Sequence, residues 1–170
     1  MKKQKAFFFD RDGVINHDAG YTSKIEGFVF FDGIFAVMRE LSAKGFALFV
    51  VTNQSGIGRG YYSEEEFQTL TAWMLRRFEE EGVRITGVYH CPHSPESNCD
   101  CRKPAPGMFM NAFRDYDIDP AQSWMVGDKP GDMEAAAAAG IPNRVLIGGA
   151  DCAHTVYQIS KINELLELPV

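Results

Sequence analysis

Short apolar runs alternate along this chain with segments whose apolar residues recur at helical spacing. The runs cover 6–9, 46–51, 85–89, 124–126 and 145–147. They are largely apolar throughout rather than alternating, the pattern of parallel strands covered on both faces. Between the first two, Ile34, Val37, Met38 and Leu41 place a helix over 33–44, with Gly45 as its stop. Ser63 and Glu66 form a capping box that opens the strongest helix. Its apolar face is Phe67, Leu70, Met74, Leu75 and Phe78, and Gly82 ends it. Further helices are predicted over 106–116, over the alanine-rich 133–139 closed by Gly140, and over 156–166. Strands alternating with helices define an α/β fold with a mostly parallel sheet and helices on both faces. Two stretches, 13–32 and 90–106, suit neither element, and long irregular stretches in a compact domain are usually functional.

The bulk numbers narrow this picture. A chain of 170 residues, 45% hydrophobic and 24% charged, is expected to form one domain over 1–170. The formal net charge of -6 argues against nucleic acid as a partner, because that partnership rests on surplus Lys and Arg. No apolar run approaches the roughly 20 residues of a membrane helix. The basic start and short apolar run stop at Asp10-Arg11, which reads as a buried strand in a cytoplasmic protein rather than a signal peptide. Of four cysteines, three crowd between Cys91 and Cys101, which points to metal rather than disulfides.

Ligands of open parallel sheets sit beyond the carboxyl ends of the strands. Three predicted strand ends carry polar residues: Asp10-Arg11-Asp12-Gly13, Thr52-Asn53-Gln54-Ser55-Gly56 and Gly127-Asp128-Lys129. Each acid alone would read as a turn residue or a cap. Jointly, Asp10, Asp12 and Asp128 converge on one crevice, where they need a cation, and hard oxygen ligands suit Mg²⁺. A carboxylate is ionised at neutral pH and attacks without a base, so Asp10 is the expected nucleophile toward phosphorus. Asp12 is the expected acid and base, with the Thr52 hydroxyl and Lys103 ammonium holding phosphoryl oxygens. Asp132 reads equally as a support of the metal site or as a helix N-terminal acid, and Arg11 as a structural residue pointing away. Cys91, His93, Cys99 and Cys101 supply the three thiols and one imidazole of a closed, structural Zn²⁺ site that would fix the adjacent Arg102-Lys103. His90 reads as a flank of this loop and Cys152 as a lone core thiol.

Asp10-Arg11-Asp12-Gly13-Val14, Thr52-Asn53, Lys103 and Gly127-Asp128 with Asp132 together resemble the four motifs of the haloacid dehalogenase superfamily. The resemblance implies a Rossmann-like core, Mg²⁺ and phosphoryl transfer through the first Asp. Val14 departs from the Thr often found at its place. The zinc loop ahead of Arg102-Lys103-Pro104 resembles two minimal-cap groups of that superfamily, one acting on a heptose 1,7-bisphosphate and the other on histidinol phosphate. The segments 15–21, 52–60 and 106–108 favour the first group; the short stretch from His93 to Cys99 is shared with the second. The family pattern implies substrate contacts from Asp18, Ala19, Gly20, Tyr21, Thr52, Asn53, Gln54, Ser55, Arg102, Lys103 and Lys129. Arg59 is placed equally well as an anion reader or as a solvated charge. The expected partner is a small phosphorylated sugar, and the expected state a monomer. A phospho-accepting signalling module would also pair acids, Thr and Lys around Mg²⁺, but an acid at Asp12 speeds loss of the phosphoryl group. A zinc-stabilised binding protein would need a missing catalytic residue, and none of the four motifs lacks one.

Overall fold

Strand β1 (Ala6–Phe9) is buried on both faces along its whole length. Phe7 and Phe9 point into one core and Ala6 and Phe8 into a second, as the two-residue period of a strand requires. The computed structural model describes residues 2–170. After β1 come α1 (Ile34–Ala43), β2 (Ala47–Asn53), the one-turn α2 (Ser55–Gly58), α3 (Glu64–Glu80) and β3 (Gly87–Cys91). Then follow α4 (Gly107–Asp115), β4 (Trp124–Gly127), α5 (Pro130–Ala138), β5 (Asn143–Ile147) and β6 (Tyr157–Ile159). The sheet order is β3-β2-β1-β4-β5-β6, and all five pairings are parallel. Helices α1 and α3 pack through Met38, Leu41, Leu70, Met74 and Phe78 on one face. Helices α4 and α5 pack through Met108, Phe109, Ala112, Met133 and Ala136 on the other. Strand order reverses between β1 and β4, so the crevice at their carboxyl ends is the place such sheets offer a ligand.

Ser63 caps α3, its Oγ accepting the Glu66 N–H at 3.0 Å. The helix read over 133–139 begins earlier, at Pro130, because a proline at the first helical position has no N–H to leave unpaired. The helix expected over 156–166 is overturned. Tyr157–Ile159 is instead a sixth strand, paired Val145↔Tyr157 to Ile147↔Ile159, and Ile162–Glu167 is a 3-10 helix. The apolar spacing there fits a helix, but pairing to the free edge of β5 takes the segment. No helix is long and apolar enough to cross a membrane among the described residues.

Candidate active site

Asp10 follows β1 directly, and its N–H donates to Val126 O of β4 at 3.0 Å, which ties the two strand ends together. Its carboxylate is buried, with Oδ1 accepting the Arg11 N–H at 2.9 Å and the Lys103 ammonium at 3.0 Å. Lys103 Nζ also donates to Val51 O at 2.9 Å and meets Asp132 Oδ1 at 2.6 Å. Asn53 pins the lysine backbone, taking the Lys103 N–H at 3.0 Å and donating to Lys103 O at 3.1 Å. Asp132 takes the helix N-terminal place that the sequence offered it and also pairs with Lys103. Its Oδ2 accepts the N–H groups of Asp128 and Lys129, each at 3.1 Å, at the start of α5, while Oδ1 pairs with Lys103.

Oxygen atoms of Asp10, Asp128 and Asp132 lie within 4.8 Å of one another. Burial, and then the charge of Asp132, push the Asp10 carboxyl well above the usual carboxylate range against the pull of Lys103. Burial and Asp132 raise Asp128 as well. Burial works against the charge on Lys103, but Asp10 and Asp132 overcome it and hold the ammonium protonated. One lysine cannot neutralise three carboxylates. Asp128 Oδ1 is buried without a hydrogen-bond donor. Gly13, at φ 91, lets the backbone lie against the Asp128 carboxylate, where a Cβ would collide. A hard divalent cation fits this donor set.

The carboxylate of Asp12 stands apart from that trio. It is held by Arg11 at 3.0 Å, by Asn16 Nδ2 at 2.9 Å and by Gln54 Nε2 at 3.2 Å. Arg11 therefore does not point away, as expected from the sequence; it is fully buried, pairs with Asp12 and donates to Thr22 O at 2.7 Å. Thr52 Oγ1 accepts from Gln54 Nε2 at 2.8 Å, and Gln54 Oε1 takes a bond from Tyr62. Tyr62 went unnoticed in the sequence, where nothing but its nearness to the second loop marks it. Burial raises its hydroxyl to about 12, so it stays a donor.

Asp10, Asp12 and Lys103 open into a cleft of about 440 Å³. Asp18, Gly20 and Tyr21 form one wall, and Asn53, Gln54 and Ser55 another. Arg59, Arg102 and Lys129 stand on the same cleft. Lys129 Nζ lies 3.7 Å from Asp18 Oδ2. Ala19 and Thr52 are not on its wall, and Asp128 borders an adjoining cavity of about 800 Å³.

The four residues of the cysteine loop come together. Cys91 Sγ lies 2.9 Å from Cys101 Sγ, 3.6 Å from Cys99 Sγ and 3.4 Å from His93 Nδ1, which is 3.2 Å from Cys101 Sγ. Burial raises the Cys91 and Cys101 thiols above their ordinary value. The Cys99 thiol is brought down to about 6, burial being outweighed by donors that include the Arg102 N–H. Three sulfurs and one ring nitrogen packed this closely match a tetrahedral Zn²⁺. His90 stays outside the cluster, stacked on Phe67 and 2.7 Å from Glu64. Cys152 is half-buried rather than sealed in the core.

A parallel 3-2-1-4-5-6 sheet with acids and a lysine at the β1/β4 crevice is the architecture of a hydrolase class, and residues 100–158 match the HAD-hydrolase-like family. The chain belongs to the haloacid dehalogenase-like family. It is 53% identical over 154 residues to the D-glycero-β-D-manno-heptose-1,7-bisphosphate 7-phosphatase of Escherichia coli, covering 86% of this chain and 80% of that protein. The protein of the same name from Haemophilus ducreyi is 50% identical over 151 residues, covering 85% and 83%. Among solved structures, the D,D-heptose 1,7-bisphosphate phosphatase of B. bronchiseptica, complexed with magnesium and phosphate, superposes with a TM-score of 0.85. It is 29% identical, over 96% of this chain and 99% of that one.

Proposed function

We propose that this chain removes the 7-phosphate of D-glycero-β-D-manno-heptose 1,7-bisphosphate through an aspartyl-phosphate on Asp10, in ADP- or GDP-heptose and cell-surface glycan synthesis. The observation that carries the chemistry is the buried Asp10 carboxylate, 3.0 Å from Lys103 and grouped with Asp128 and Asp132 at the β1/β4 crevice. The names of the relatives carry the substrate, and they favour the heptose ester over histidinol phosphate.

Asp10 Oδ1 is engaged by Arg11 and Lys103, which leaves its other oxygen to attack phosphorus. The P–O7 bond breaks, and Asp12, on the cleft wall, gives its proton to the sugar oxygen. In the second half Asp12 takes a proton from water, the water oxygen attacks the aspartyl-phosphate, and inorganic phosphate leaves as Asp10 is restored. Lys103, on the cleft wall, holds the phosphoryl oxygens as charge develops on them, and Thr52, sealed behind that wall, orients Gln54 instead. Asp10 and Asp128 would hold Mg²⁺, backed by Asp132, while the Asp12 carboxylate, engaged by Arg11, Asn16 and Gln54, stands apart from them. Bound there, Mg²⁺ supplies the positive charge that lets an anionic ester approach an anionic nucleophile. Cys91, His93, Cys99 and Cys101 would hold Zn²⁺, which fixes the backbone leading into Arg102 and Lys103. The same reading places the chain in the cytoplasm, where its thiols stay reduced, as a single-domain monomer over 1–170.

The test is phosphate release from heptose 1,7-bisphosphate and from histidinol phosphate, with Mg²⁺ and with chelator. Mg²⁺-dependent release from the heptose ester, abolished by Asp10→Asn, is expected. Faster release from histidinol phosphate would reject the substrate, and an active Asp10→Asn variant would reject the nucleophile.

A further inference from the structure

Two guanidiniums at the cleft mouth lack a counterion. Neither Arg59 nor Arg102 forms an ion pair among the described residues. Arg102 Nη1 is buried without a hydrogen-bond partner. Lys129, the third cation on this cleft, already has Asp18 at 3.7 Å. Arg102 is set by the cysteine loop, since it follows Cys101 directly. Arg59 is set by the same loop from the opposite side. The Gly58 N–H donates to Pro92 O at 2.8 Å, and a Cβ on Gly58 would stand 2.7 Å from Pro92 O and 2.9 Å from Ser94 N. Only glycine lets α2 lie so close to the loop, and the next residue is Arg59. Glu96, on the crest of the loop, is exposed and lies within the field of both arginines. Its carboxyl is lowered chiefly by its own N–H and by Ser94, with Arg59 and Arg102 adding to the effect. One exposed carboxylate in solvent is a weak partner for either guanidinium, Arg59 exposed at the mouth of the cleft and Arg102 half-buried in it.

We propose that Arg59 is a specificity-determining residue: with Arg102 it grips the substrate phosphate remote from Asp10, and the cysteine loop sets the spacing of the two guanidiniums. The proposal rests on the bisphosphate reading above and adds a residue to it. A guanidinium offers a planar fork that matches phosphate oxygens in pairs, which the point charge of Lys129 does not. Binding energy from this remote group, unavailable to a monophosphate, is what would raise the selectivity for the bisphosphate.

The experiment compares kcat/KM for two substrate pairs in the wild-type protein, Arg59→Gln and Arg59→Lys. The pairs are heptose 1,7-bisphosphate with heptose 7-phosphate, and fructose 1,6-bisphosphate with fructose 6-phosphate. In Arg59→Gln the bisphosphate-to-monophosphate ratio is expected to fall about tenfold or more, mostly through KM of the bisphosphate. Arg59→Lys should recover part of it, with zinc content and Tm unaltered in both variants. An unchanged ratio, or an equal fall for both members of a pair, overturns the role of Arg59. A wild-type protein that prefers the fructose pair, with a ratio that still falls in Arg59→Gln, retires the heptose substrate and keeps Arg59. No preference for either bisphosphate overturns both.

Discussion

Single side chains decide the chemistry here through the partners they already have. Asp12 is held by three donors at 2.9 to 3.2 Å, so Asp12→Asn keeps the size of the side chain but turns an NH2 toward one of those donors and removes both the proton it would move and the charge opposite Arg11. Its kcat for phosphate release is expected to drop about 10²–10⁴-fold with KM little altered. Turnover at the wild-type rate would remove Asp12 from the acid–base role. Lys103 is the buried counterion of Asp10 and Asp132. Lys103→Met strands both carboxylates, and urea unfolding without divalent ions should show a loss of about 3–5 kcal/mol. A loss below about 1 kcal/mol, the range of exposed pairs, would mean that water reaches the site and screens it. The acids and the lysine were legible in the sequence because each lies at the end of an apolar run or beside a cysteine cluster. The turn of Arg11 back onto Asp12 was not, since it depends on the Thr22 carbonyl arriving from an irregular loop. Nor was the Asp132–Lys103 pair, whose members meet only after α5 and the loop before α4 have packed.

At the scale of elements, the loop from Cys91 to Cys101 acts as a clasp between β3 and the lysine. Removing one ligand with Cys99→Ser is expected to lower zinc content from one ion per chain toward zero. Loss of metal from a site whose binding energy is part of folding should also lower Tm and reduce phosphate release, because Lys103 loses its fixed approach. A variant that keeps full turnover with no zinc would separate the clasp from the chemistry. Helices α1, α3 and α4 stand close to where the sequence put them, and α1 and α3 each have a clear apolar stripe and a glycine stop. The three-residue β6 escaped that logic. Val156, Ile159 and Ile162 suit a helix as well as a strand, and only the edge of β5, formed elsewhere in the chain, decides between them.

Across the whole molecule the acids set how stability depends on pH and metal. Burial and the charge of Asp132 hold the Asp10 carboxyl well above its ordinary value and raise that of Asp128. A carboxyl raised in the fold contributes its full stability below its unfolded value, about 3.9, and loses it as pH rises through the folded value. The metal-free protein therefore gives up this contribution as pH rises through the raised folded values. Mg²⁺, held as proposed by the ionised groups, would return stability where they are charged. The rise in Tm on adding Mg²⁺ is expected to be larger at about pH 7.5 than at about pH 5. A shift that is equal at both, or larger in acid, would place the ion elsewhere.

The lysine at the centre of the crevice has a last implication. An ammonium carries three hydrogens, and those of Lys103 are matched one for one by Asp10, Asp132 and the Val51 carbonyl. Before any ester arrives, no direction is vacant. An incoming phosphoryl oxygen must take the place of one of these acceptors, and Asp10, whose carboxylate charge is lost once it becomes an aspartyl-phosphate in the proposed reaction, is the natural one to yield. The lysine would then pass from Asp10 to the phosphoryl group as the charge passes, and departure of free phosphate would be drawn along by the restored carboxylate reclaiming its old partner.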